Sequence, residues 1–224
     1  MDKIGQLLER SFFGGIVIAA TFAETVIFLY LIYRLIKFLQ PKEVRQEEQR
    51  ILSHRFYKVS GRGRVSYLIL CLEETLLFYG QDFSAWKRIL RELWSVTSHS
   101  EGDWIGAWLD SVGELLPRQI LTTTLPSSDD IREIQDLYTR AGTKMILVNA
   151  LMENAYTMVC EWSPETVAHD PDSLHFIDEA EEMMKKFGVP LPANEAVQFL
   201  FTQKDLSLGK PFDGLRLSHL SKRL

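Results

Sequence analysis

The residues best suited to hold a metal ion lie between His169 and Glu179. His169, Asp170, Asp172, His175, Asp178 and Glu179 place two imidazoles and four carboxylates within eleven residues. His175 and Glu179 are four apart and share one face of a helix, as helical metal ligands do. The paired Glu-x-x-His elements of carboxylate-bridged bundles are absent. Asp170 and Asp172 also suit the cap and first turn of a helix that starts there. The expectation is an ordinary acidic helix with no metal and no cofactor. His169, His175 and Glu179 are the residues that would carry a metal if one bound.

A second polar group comprises Ser98, His99, Glu101 and Asp103. These types also serve a helix junction, with Ser100 as N-cap and Asp103 at the third helical position. Cys71 sits in a strongly apolar run, which disfavours its thiolate, and Cys160 is a similar case. Two cysteines fit a reducing compartment. The chain has no phosphate-cradling glycine loop, no nucleophile elbow and no His-Glu-x-x-His. No catalytic residues are assigned, and the sequence is read as that of a non-enzyme.

The remaining chemistry is in the segment from Phe12 to Tyr33. Its 22 residues contain one ionisable group, Glu24. A helix of that length spans roughly 33 Å, enough for the hydrocarbon core of a bilayer. Gly15, Ala19 and Ala23 recur every four residues, a small-residue stripe that lets a second helix approach closely. An ionisable group inside a membrane points to function. Gly15, Ala19, Ala23 and Glu24 are therefore the expected helix–helix contact, with a membrane-protein partner or a second copy.

Charge sets the orientation. Residues 34–64 carry nine basic and three acidic groups, and residues 65–224 carry 14 basic and 24 acidic groups. The Lys/Arg-rich flank stays inside. The reading is a plasma (inner) membrane protein with residues 1–11 outside, a transmembrane helix over 12–39, a basic neck over 40–64 and an acidic cytoplasmic domain over 65–224. In the neck region Arg34, Lys37, Lys42, Arg62 and Arg64 are expected to meet anionic headgroups. The acidic body argues against nucleic acid as a partner.

The elements that carry these groups are helical nearly throughout. Pro41 opens a helix that reaches Lys58, and Gly61 and Gly63 break it. Val65–Tyr79 is apolar on all sides and belongs in the middle of a bundle. Helices over 83–97 and from Ser100 to Leu116 follow, and Arg118 to Pro126 reads as extended. Ile131, Ile134, Tyr138, Ala141, Met145, Val148, Met152, Ala155, Val159 and Trp162 then alternate three and four apart. That is one long heptad-patterned helix of about 50 Å, with Gly142 as a possible interruption. Two more helices end near Phe187 and Gln203, and the tail from Lys204 is expected to dock as an extended arm.

The fold class is all-α: a single transmembrane helix followed by a multi-helix bundle. This layout resembles that of some inner-membrane accessory proteins of secretion and conjugation systems, including plasmid entry-exclusion proteins. It implies an accessory, inhibitory or immunity-type subunit acting on a larger membrane assembly. A membrane-tethered helical enzyme and a homo-oligomeric scaffold are the alternatives.

Overall fold

The computed structural model describes residues 25–34, 42–100, 103–122, 128–162, 172–192, 195–204 and 207–221. Among these the chain is all-helical. There is no strand, and Val59 and Lys204 form an isolated antiparallel bridge. Two compact units are present, Met1–Leu52 and Ser53–Leu224.

In the first unit residues 25–34 are helical, and this stretch is α1. Most of the expected span, residues 12–24 and 35–39, lies outside the described residues. Among those described, no helix is long and apolar enough to cross a membrane. The next helix, α2, covers Lys42–Ser53 and stops five residues short of the expected Lys58. Residues 55–58 instead form a turn, with Tyr57 N–H donating to His54 O at 2.9 Å.

The second unit is a helical bundle around α3, Gly61–Phe78. From Gly61 to Glu73 every residue is buried, so the helix has no solvent face there. This agrees with its all-round apolar sequence. Its start differs from expectation. Gly61 and Gly63 do not break a helix but open one, because Ser60 caps it by accepting from Gly63 N–H at 3.2 Å. The glycines also permit crowding, since a Cβ on Gly63 would lie 2.5 Å from Val59 Cγ1. Gly80, at φ +64°, follows the other end.

Around α3 pack α8 (Met145–Cys160) and α9 (Asp172–Lys186) most extensively, with α4 (Phe83–Ser95) and α10 (Glu195–Thr202). Next to these lie α5 (Trp104–Leu115), α6 (Pro117–Thr122) and α7 (Asp129–Ala141). Asp82 caps α4 by accepting from Ser84 N–H at 2.9 Å. The cap of α5 is Asp103 rather than Ser100, through Gly106 N–H at 3.3 Å. Residues 118–122 are helical rather than extended. Pro117 opens α6 at the position where its missing N–H costs nothing.

The long heptad helix is two helices. Gly142 takes φ +58°, which ends α7, and a 3₁₀ turn over Gly142–Lys144 leads into α8. The register itself is right. Ile134, Tyr138, Ala141, Met145, Val148, Met152, Ala155, Val159 and Trp162 are all buried, and Ile131 at the start of the seam is half-buried. The seam is covered by neighbouring helices of the same chain, with α7 against α6 and α8 against α3, α5 and α9.

Beyond α10 the chain returns across the bundle. Ser207 O and Leu208 O accept from Gly61 N–H and Arg62 N–H at 3.0 Å each, completing the N-terminal turn of α3. Gly209 has φ +86°, and a Cβ there would lie 2.5 Å from Ser60 Cβ. Gly209→Ala is therefore expected to lower stability by about 2 kcal/mol, read as a fall in Tm.

Candidate functional site

The described part of the expected span is α1. Its residues are exposed on every side, from Ile32 at 37% to Phe28 at 63%. Eight consecutive apolar or aromatic residues, Val26 to Tyr33, go round the helix more than twice. Neither face is polar, so water is a poor solvent for all of it. Arg34 closes the stretch, its guanidinium 6.0 Å from the centre of the Tyr30 ring. Gly15, Ala19, Ala23, Glu24 and Lys37 lie outside the described residues. Lys42 is the first residue of α2.

Arg62 and Arg64 do not meet lipid headgroups. They are 2% and 4% exposed, inside the bundle. Arg64 donates through Nε to Val59 O at 2.9 Å and to Phe56 O at 3.2 Å. Its other nitrogens reach Tyr57 O at 2.7 Å and Ser173 Oγ. Arg62 donates to Val96 O and His99 O and lies 4.4 Å from the Trp104 ring centre. Burial pulls Arg62 down to about 10, which still leaves it charged at neutral pH. Both guanidiniums gather backbone carbonyls from loops around the start of α3. Their work is to fix those loops.

His175 and Glu179 both lie on α9. His175 is exposed, with its ring 6.2 Å from that of Phe176. Glu179 Oε2 accepts instead from Asn154 Nδ2 at 3.4 Å. His169 lies outside the described residues. Among those described, no three His, Cys, Asp or Glu side chains come together as a metal site. In the other polar group Asp103 is a helix cap, Ser98 Oγ donates to Ser95 O at 3.1 Å, and Glu101 is outside the described residues.

The structure brings together a cluster that spacing did not reveal. Tyr67 on α3 donates to Glu181 Oε1 on α9 at 2.9 Å, and Arg55 pairs with both. Lys185 reaches Glu181 Oε2 at 3.5 Å, and His54 Nε2 lies 3.0 Å from Asp178 Oδ1. Burial pushes the Tyr67 hydroxyl and the neighbouring Cys71 thiol above their usual ranges. A tyrosine and a cysteine held protonated are poor nucleophiles. The cluster ties the 53–60 turn and α3 to α9. Cys160 is exposed, although partial burial raises it too. Alkylation of the folded protein is expected at Cys160, with Cys71 at least roughly a hundredfold slower until denaturant is added. Peptide mapping of the labelled protein checks this.

A second unforeseen centre is Glu73, fully buried in α3. Its carboxylate accepts from Trp94 Nε1 at 2.8 Å, from His219 N–H at 2.8 Å and from Ser218 Oγ. The signal in the sequence was a pair of acids, Glu73 and Glu74, interrupting an otherwise apolar run.

Open grooves also mark the body. One of about 620 Å³ runs between α4 and α7, lined by Arg88, Asp130, Glu133 and Arg140, with Arg88 and Asp130 paired at 3.0 Å. Another of about 620 Å³ is walled by Leu109, Ile120, Ile131 and Tyr156, with Asp110 and Glu114 at its edge. No family model matches the chain, and no curated protein or solved structure matches it either.

Proposed function

We propose that this chain is a membrane-anchored interaction protein without catalytic activity of its own. It serves as an accessory, inhibitory or exclusion-type subunit of a larger membrane assembly of the secretion or conjugation kind. The observation that carries the reading is α1, apolar on every face and exposed along its whole described length. Lipid, or lipid together with a partner helix, is the medium that suits such a surface. Arg34, Lys37 and Lys42 are left as the headgroup contacts once Arg62 and Arg64 are taken into the bundle. The acidic body belongs to the Lys/Arg-rich, cytoplasmic side of the inner membrane, and its grooves are open to a partner.

The reading is supported further by how the buried polar groups are used. Arg64, Tyr67, Glu73 and Glu181 spend their hydrogen bonds on the fold, as Arg62 does through its two terminal nitrogens. Recognition in the membrane is assigned to Gly15, Ala19, Ala23 and Glu24. Its test is affinity capture of the full chain from gently solubilised membranes, wild type against Glu24→Leu. A discrete membrane-protein partner, or a second copy, is expected with wild type and lost with Glu24→Leu. The same partners with both proteins would overturn the assignment.

A further inference from the structure

The segment from residue 207 to residue 221 is fastened to the bundle in an unusual way. Phe212 N–H donates to Thr97 O at 2.9 Å, and Gly214 N–H donates to Thr97 Oγ1 at 3.1 Å. A Cβ on Gly214 would lie 2.6 Å from the Trp94 ring, so the backbone itself packs on the indole. Further along, Ser218 and His219 deliver two donors to Glu73, and His219 Nε2 lies 3.0 Å from Glu74 Oε1. These contacts are polar and joined end to end. The apolar contribution is the lesser one: Leu220 is buried and the Phe212 ring lies 5.6 Å from that of Phe199, whereas Leu215 is 36% exposed and Phe212 and Leu217 are half-buried.

The segment also has some structure of its own. A 3₁₀ turn covers Gly214–Arg216, and Leu217 N–H donates to Gly214 O at 2.9 Å. Segments with few buried apolar side chains and exposed backbone open at lower free energy than the core. By contrast, α3 beneath it is buried residue after residue. We infer that residues 207–221 form a strap that opens as one unit while the bundle stays folded, with Glu73 as its clasp. Opening uncovers the carboxylates of Glu73 and Glu74 and the indole N–H of Trp94. The strap thus makes the body a two-state object, closed over α3 and α4 or open at them.

Hydrogen exchange of the full chain in detergent or bilayer discs, followed by mass spectrometry, tests this. Peptides from 207–221 are expected to share one protection level, at least about tenfold below that of α3 and α8. Glu73→Gln keeps an oxygen for Trp94 and Ser218 but sets an NH2 donor against His219 N–H, which loses its acceptor. It should speed strap exchange about tenfold or more and leave α8 unchanged. Ser218→Ala removes one donor without leaving a buried charge alone, and should speed strap exchange a few-fold. Strap amides exchanging as slowly as those of α3 and α8 would overturn the inference. So would Ser218→Ala accelerating α8 as much as the strap.

Discussion

Arg64→Ala is expected to lower the unfolding free energy of the body by about 4 kcal/mol. The substitution removes four hydrogen bonds from a side chain that is 4% exposed. It takes a charged donor from Val59 O, Tyr57 O, Phe56 O and Ser173 Oγ, although Phe56 O keeps Val59 N–H at 2.9 Å, and each buried acceptor left unsatisfied costs about 1–3 kcal/mol before relaxation and water entry. Arg64→Lys should recover a minority of the loss, because an ammonium cannot reproduce the fork that reaches both sides of the turn. All five tryptophans lie in the body, so denaturant unfolding followed by tryptophan fluorescence reads it directly. An arginine whose task is to touch lipid headgroups would show almost no effect in the same experiment.

Val26→Asp combined with Leu29→Asp is expected to weaken membrane insertion by up to about 8 kcal/mol. Each change replaces a residue favourable by about 0.5 kcal/mol with one unfavourable by about 2.5–3.5 kcal/mol at the centre of a span. Both positions are exposed in α1, at 49% and 59%, so the body loses no packing. Its denaturation midpoint should stay where it is. An insertion assay on the full chain should show the membrane-integrated fraction falling from nearly all to a small minority. Phe12 to Tyr33 already carries Glu24, so two further acids take it beyond what one span tolerates.

Much of the bundle was legible because apolar spacing reports burial whichever helix a residue belongs to. The seam from Ile134 to Trp162 fell on buried positions, although Gly142 splits the helix that carries it. Periodicity persists across the break because α7 and α8 each bury their own apolar stripe, although Gly142 at φ +58° interrupts the helical hand between them. Arg118 to Thr122 misled because β-branched residues favour extended chain only weakly, and Pro117 is a strong helix opener.

The larger miss was Gly61-Arg62-Gly63-Arg64. Two glycines and two arginines after a basic helix read as a basic neck against lipid headgroups. What buries them is a set of backbone carbonyls, from Phe56 to Val59 and at Val96 and His99. Carbonyls carry no residue type, so spacing cannot announce them. The same holds for Glu73, whose donors Trp94, Ser218 and His219 come from far along the chain. The surroundings of His175 and Glu179 were hidden too. His175 and Glu179 have the right spacing, but Asn154 on a neighbouring helix engages the carboxylate.

The central claim is that the apolar helix embeds this chain in a bilayer. Flotation of full-length protein with liposomes under alkaline carbonate, which strips surface-bound proteins, tests it most directly. Wild type should float with the lipid, and Val26→Asp/Leu29→Asp should stay at the bottom of the gradient with its tryptophan emission unchanged. Wild-type protein left at the bottom, or the double variant floating as wild type does, would contradict the account.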